Sequence, residues 1–265
     1  MADGRYSLIT GASSGIGECF AWALARRGHN LVLTARSEGK LSHLAAELAR
    51  DHEIKVEIIP ADLSARDSAP QLAAILKERT LSIHVLVNNA AFGARGEFWQ
   101  VPLERQMAMV RLNINALAEL TYLLLPEMVE RREGVIINVS STVSFQPTAY
   151  TATYAATKAF VTSFSMGLAE EVRPHGIRVV TLCPGSTRTN FFEAGNYGVR
   201  DMPGGMQAPE EVVNAALRAL DRGGGLVVPR LLNKSLVFVQ RFAPRETVAK
   251  LAAMIFRPPS QGTSR

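Results

Sequence analysis

The stretch Thr10-Gly11-Ala12-Ser13-Ser14-Gly15-Ile16-Gly17 follows the apolar run Tyr6–Ile9 and opens the helical pattern Gly15–Arg27. Glycines at a strand-to-helix junction let the backbone turn tightly and come close to a ligand. A helix starting there turns unpaired N–H groups and the positive end of its dipole toward a phosphate. Gly11, Gly15 and Gly17 provide the turn, Ser13 and Ser14 add hydroxyl donors, and Ile16 lies between them. The spacing is Gly-x-x-x-Gly-x-Gly, not the Gly-x-Gly-x-x-Gly of the commonest dinucleotide fingerprint. A glycine cluster alone would equally serve a purely steric turn.

The rest of the chain supplies the context. Short β-rich runs (Tyr6–Ile9, Leu31–Thr34, Val56–Ile59, Val85–Val87, Val135–Val139, Val179–Cys183, Leu226–Val228) alternate with helical patterns. The latter are Gly15–Arg27, Lys40–Arg50, Ala65–Glu78, Leu103–Arg131, Thr153–Arg173 and Pro209–Leu220. Continuous apolar strands between helices predict an α/β fold, a parallel sheet of about seven strands buried on both faces. Pro126 is expected to kink or shorten the fourth helix. No linker splits the chain, so residues 1–230 read as one domain and residues 231–265 as its helical C-terminal extension.

Two segments break the rhythm. Asn190–Ala208 is a long loop after the sixth strand, of the kind that forms lids and binding loops. Leu231–Arg257 reads as two short amphipathic helices split at Pro244. These either pack on the domain or a partner subunit, or lie on a membrane surface, which Arg241, Arg245, Lys250 and Arg257 would favour.

With 265 residues, 47% apolar, the chain can bury one sizeable core. No run reaches the ~18 apolar residues of a membrane span, and the start, Met1–Arg5, leaves no room for a signal peptide. Cys19 and Cys183 show no sign of pairing, which points to a reducing cytoplasm. The net charge of +5 suits phosphate-bearing ligands or acidic surfaces. The basic residues are spread along the chain with no basic stripe interleaved with aromatics, which argues against nucleic acid. The five histidines have no ligand spacing, so no metal is expected.

Chemistry enters at Tyr154-Ala155-Ala156-Thr157-Lys158, with Ser141 thirteen residues upstream. A tyrosine and a lysine one helical turn apart share a face. The ammonium stabilises the phenolate and lowers a pKa otherwise near ~10, as a general acid/base for a carbonyl or alcohol requires.

Taken in order, Thr10–Gly17, Asn88-Asn89-Ala90, Ser141, Tyr154, Lys158 and Pro184-Gly185 resemble the short-chain dehydrogenase/reductase family, over about Tyr6–Val228. The overall pattern looks like the branch near 3-ketoacyl and 17-beta-hydroxysteroid reductases. The resemblance implies a Rossmann-type doubly wound sheet, a nicotinamide cofactor and a catalytic set of Asn113, Ser141, Tyr154 and Lys158. Asn113 is preferred to Asn115 by its register to Pro126, and Ser141 to Ser140 by its spacing to Tyr154. Asp62-Leu63 resembles the adenine-binding step, Asn89-Ala90 the segment bordering the adenine ribose, and Pro184-Gly185-Ser186-Thr187-Arg188-Thr189 the loop holding the nicotinamide end. Ala91 stands where the family commonly has glycine. The family's NAD users usually carry an acid after the second strand; here Leu33-Thr34-Ala35-Arg36-Ser37 has none. Arg36, with Ser13 and Ser37, would meet a 2′-phosphate, so NADP is expected.

Phe92, Gly93, Phe145, Tyr150, Phe191, Phe192, Tyr197 and Met202 are candidate pocket residues, which suits a ketoacyl, steroid-like or aromatic ketone or its alcohol. Tyr150 lacks a lysine four residues on and reads as a pocket wall. A homo-oligomer, dimer or tetramer, is expected through Leu103–Arg131 and Thr153–Arg173. A non-catalytic protein that senses NADP, or one that binds partners at a membrane surface, is the alternative.

Overall fold

Strands buried on both faces read as largely apolar runs, and the central strands of this sheet are built that way. The computed structural model describes residues 5–195 and 205–258. Its elements are β1 (Arg5–Thr10), α1 (Gly15–Ala25), β2 (Asn30–Thr34), α2 (Glu38–His52), β3 (Val56–Ile58), α3 (Ser68–Glu78), β4 (Ser82–Asn88), α4 (Leu103–Val110), α5 (Leu117–Glu130), β5 (Gly134–Val139), α6 (Ala152–Val172), β6 (Ile177–Leu182), α7 (Phe191–Ala194), α8 (Pro209–Asp221), β7 (Gly225–Val227), α9 (Leu231–Val239) and α10 (Arg245–Phe256).

All seven strands are parallel, in the order β3-β2-β1-β4-β5-β6-β7. Successive side chains of a strand point to opposite faces. Ile9, Leu31, Leu33, Val87, Ile137 and Leu182 therefore pack with Phe20 and Leu24 of α1, Leu41 and Leu48 of α2 and Val213 of α8. Leu8, Val32, Leu86, Ile136 and Val179 pack on the other face with Leu72 of α3, Leu120 and Met128 of α5 and Leu168 of α6. This is the expected doubly wound α/β fold with a helical tail. The strand order reverses between β1 and β4, where such sheets bind ligands beyond the strands' carboxyl ends.

Three expectations shift. β4 is longer than Val85–Val87, because Ser82 and His84 extend the strand without being apolar. α3 begins at Ser68 rather than Ala65, because Asp67 adopts a left-handed conformation, φ 57°, that halts a helix. Pro126 does not end the fourth helix, which continues to Glu130. The interruption falls earlier, in a π turn at Arg111–Ala116, a feature that often marks functional sites. By length and hydropathy Leu103–Glu130 is apolar enough to cross a membrane. Its Met109, Leu120, Leu124 and Met128 are instead buried in the core.

Candidate functional site

The reversal point is held by a small polar lattice. Thr10 Oγ1 donates to the Val87 carbonyl, 3.2 Å, and accepts from the Asn89 and Ala90 amides, both 2.9 Å. Asn89 Nδ2 donates to the carbonyls of Thr10, 2.9 Å, and Gly11, 3.2 Å. Asn89 thus staples the glycine turn to the end of β4.

Gly11 and Gly15 have φ of +66° and +61°, the left-handed region that favours glycine. Gly17 serves differently. A Cβ there would lie 2.2 Å from the Gly11 carbonyl oxygen. It is the close-packing glycine between helix and turn, and it does not line the cavity described next. Gly17→Ala is expected to cost at least the ~1–3 kcal/mol of an overpacked core, because backbone rather than a flexible side chain must move. Urea denaturation of the variant measures this; an unchanged midpoint rejects it.

A cavity of about 990 Å³ runs from this turn along the carboxyl edge of the sheet. Gly11, Ser13, Ser14, Gly15, Ile16, Arg36, Ser37, Asp62, Leu63, Asn89 and Ala90 line it. So do Phe92, Ser141, Tyr154, Lys158, Pro184–Thr187, Thr189, Phe191 and Phe192. Ser14 precedes α1 without capping it through its side chain, which leaves its hydroxyl to a ligand. A phosphate-bearing dinucleotide fits this donor set: a glycine turn without Cβ atoms, a helix N-terminus, serines, and a cation at the rim. Lys40, in the first turn of α2, adds a second cation beside Arg36. Burial alone would raise the Asp62 pKa, but bonds from the Ser64 amide and hydroxyl, with Arg36 nearby, hold it below the ordinary carboxylate value. This carboxylate lies after β3, not after β2.

The candidate reactive groups come from the end of β5 and from α6. Tyr154 and Lys158 stand in the first two turns of α6, the Lys158 ammonium 5.9 Å from the centre of the tyrosine ring. The Tyr154 ring lies 5.2 Å from that of Phe191. Ser141 follows β5, begins a short 3-10 turn and faces the cavity. Its neighbour Ser140 is buried, its hydroxyl donating 2.9 Å to the Lys158 carbonyl. Asn113 lies in the π turn, buried, and Asn115 is exposed. Asn113 Nδ2 donates to the Phe92 carbonyl, 3.0 Å, and to Thr157 Oγ1, 3.0 Å, while its Oδ1 accepts from the Phe92 amide, 3.2 Å. Both amide hydrogens are therefore spent on protein.

Lys158 is buried and donates 2.7 Å to the Val139 carbonyl. Burial pushes its pKa down to about 8 from 10.5, with Cys183 opposing the fall. Between these values the unfolded chain holds a proton that the folded one has lost, so stability rises with pH there. Below pH 8 both states hold it, and the fold carries the full cost of the buried charge. The stability of the wild type minus that of Lys158→Met should rise by on the order of 3 kcal/mol from pH 7.5 to 10.5. Parallel urea curves for the two proteins across that range would reject the shift.

The remaining candidates are less central. Phe145, Tyr150 and Gly93 do not line the cavity. Tyr150 holds φ +62°, and its hydroxyl accepts a 3.1 Å bond from Arg257 Nε at the end of α10. Its hydroxyl is thus engaged by the tail rather than lining the cavity. Tyr197 and Met202 lie outside the described residues. Sequence reasoning missed the roof: Asn233, Val237, Gln240, Val248, Ala252 and Ile255 of the tail line the cavity. Their amphipathic pattern was visible, but not the surface it would cover. It also missed Gln207, whose side-chain oxygen accepts from the Gly185 amide, 3.1 Å, and pins the loop after β6.

A doubly wound parallel sheet with a phosphate-accepting turn at its reversal point and a Tyr–Lys pair beside it defines a nicotinamide-dependent oxidoreductase. The short chain dehydrogenase family model matches residues 5–197, and the chain belongs to that family. It is 36% identical over 219 residues to a very-long-chain 3-oxoacyl-CoA reductase from Anas platyrhynchos, covering 81% of this chain and 68% of the relative. It is 33% identical over 197 residues, 73% of this chain and 59% of the relative, to the inactive hydroxysteroid dehydrogenase-like protein 1 of Homo sapiens. Among solved structures, a short-chain dehydrogenase from Sphingobium yanoikuyae in complex with NADPH superposes with TM-score 0.81 at 35% identity, covering 91% of this chain and 97% of that one. A bulky-bulky ketone specific alcohol dehydrogenase from Comamonas testosteroni gives 0.76 at 33%, over 91% and 95%. These likenesses agree with the 3-ketoacyl and steroid branch of the family.

Proposed function

We propose that the protein is an NADP-dependent reductase of bulky apolar ketones, also able to run the reverse oxidation of the alcohols. The observation that carries this is one continuous cavity with Arg36, Lys40, Ser13 and Ser37 at one end, Tyr154, Lys158 and Ser141 along it, and the apolar tail as its roof. The nicotinamide, when bound, supplies the hydride that reduces the ketone carbon.

The chain's own residues do the rest. Gly11–Ile16 and the α1 N-terminus would hold the pyrophosphate, and Arg36 and Lys40 the 2′-phosphate. Ser141 donates a hydrogen bond to the carbonyl oxygen as charge develops on it. Tyr154 gives that oxygen its proton, or takes it in the oxidative direction. Lys158 stabilises the tyrosinate and reaches the nicotinamide ribose. Since the Asn113 side chain donates both its hydrogens to Phe92 and Thr157, a relay water beside it rests on acceptor atoms of the π turn. A family relative is named as inactive, so membership alone does not carry turnover; the Tyr154–Lys158 pair and Ser141 along the cavity support it here.

The apolar roof supports a substrate with a long acyl chain, a fused ring system or an aryl group. Exposed Tyr122, Leu123, Phe160 and Met166 on α5 and α6 suit contact with a second copy of the chain, and the free Cys19 and Cys183 suit a reducing cytoplasm.

The test is fluorescence titration with NADPH and NADH, followed by a panel of 3-oxoacyl thioesters, steroid ketones and aryl ketones. Tight NADPH, weak NADH and turnover of at least one apolar ketone are expected. Binding of neither nucleotide would remove the oxidoreductase reading. Tight binding without turnover across the panel favours the non-catalytic alternative.

A further inference from the structure

The tail forms a strap fixed at both ends. At its start the Arg230 guanidinium bonds Glu211, 2.8 and 3.1 Å. At its end Arg95 Nε and Nη2 donate to the Phe256 and Arg257 carbonyls, the first at 2.8 Å, and Arg257 reaches Tyr150. Between these anchors Val237, Val248 and Ala252 turn inward over the cavity. The opposite side stays apolar and uncovered: Leu231 is 82% exposed, Phe242 77% and Met254 77%, with Leu232 and Phe238 more than half exposed. A helix pair that only capped a cavity would carry polar residues there.

The charge distribution says what covers this face. Basic residues are spread along the chain, but acidic ones avoid the tail. Residues 230–257 hold six Lys and Arg against one acid, Glu246. Residues 1–229 hold twenty-two basic and twenty-three acidic, so the formal +5 of the whole chain resides in the tail. Arg230 and Arg257 are engaged by Glu211 and Tyr150. Lys234, Arg241, Arg245 and Lys250 are exposed around the apolar side chains. Apolar side chains ringed by cations, on helices lying flat against the body, match the interface of an anionic lipid layer.

We propose that the outer face of α9 and α10 docks on an anionic membrane surface, with Leu231, Phe238, Phe242 and Met254 entering the acyl boundary and Lys234, Arg241, Arg245 and Lys250 meeting lipid headgroups. The roof of the cavity then lies in the bilayer interface, where apolar ketones concentrate. That last consequence rests on the proposed substrate class; the docking itself does not.

The experiment is co-sedimentation of the full chain with vesicles of phosphatidylcholine alone, or with one-third phosphatidylglycerol, at rising sodium chloride. Light scattering gives the solution mass in parallel. Preferential binding to the anionic vesicles, falling with salt, is expected. Lys234→Gln with Lys250→Gln should weaken it about 25-fold, at roughly fivefold per surface charge. Phe242→Ser with Met254→Ser should weaken it as much, with melting temperature and NADPH affinity unchanged in both double variants. No vesicle binding, or equal binding to both compositions, overturns the proposal. A solution mass that falls with Phe242→Ser and Met254→Ser overturns it too, because a second copy would then cover the face. Binding is read without turnover, so its failure is separable from failure of the reductase reading.

Discussion

Tyr154→Phe is expected to lower kcat for ketone reduction by about a hundred- to ten-thousandfold, the span assigned to a positioned general acid, while NADPH affinity stays near that of the wild type. The substitution isolates one proton. The ring remains, with its contact to Phe191 at 5.2 Å and the Lys158 ammonium 5.9 Å from its centre. Only the hydroxyl proposed to protonate the developing alkoxide is removed. A ketone bound beside phenylalanine keeps Ser141 as a side-chain donor, so substrate affinity should change less than kcat. Stopped-flow reduction with an apolar ketone, beside nucleotide titration, separates the two. Unchanged kcat rejects the assignment of Tyr154; a large loss of NADPH affinity with unchanged chemistry makes it a binding residue instead.

Arg36→Asp is expected to reverse the nucleotide preference. A hydrogen bond to a charged group contributes about 1.5–3 kcal/mol, so NADPH affinity should fall by roughly ten- to a hundredfold. The new carboxylate both repels the 2′-phosphate and accepts from the free 2′-hydroxyl of NADH. Lys40 stands at the same end of the cavity, so NADPH binding should weaken without vanishing, and Lys40→Ala in the same chain should deepen the loss. Titration of both nucleotides reads this. A variant that still prefers NADPH would show that Arg36 is not the residue that distinguishes them, with Lys40 next to be tested alone.

Much of this was legible along the chain because the determinants are local. Continuous apolar runs marked the strands, and the register of Leu8 against Ile9 already separates the two faces that the helices cover. The glycine turn, the Tyr154–Lys158 spacing and the absence of an acid after β2 are all short-range patterns. Roles set by distant partners were not legible. Gly17 looked like a cofactor glycine, yet what demands it is the Gly11 carbonyl, 2.2 Å from where its Cβ would be. Asn89 looked like a ligand neighbour and proves to staple β1 to β4. Tyr150 looked like a pocket wall, but Arg257, over a hundred residues away, holds its hydroxyl.

The sequence by itself therefore determined the parallel sheet, the glycine turn between its first strand and helix, and the Tyr154–Lys158 pair on one helix, because periodicity, glycine freedom and helical spacing act over a few residues. The tertiary structure decided the rest: that Asn113 sits in a π turn bonded to Phe92 and Thr157, that Lys40 joins Arg36, and that α9 and α10 roof the cavity. An amphipathic pattern specifies that a helix must bury one face. Only long-range contacts, here Arg95 and Arg230 fixing the two ends of the tail, specify what that face is buried against.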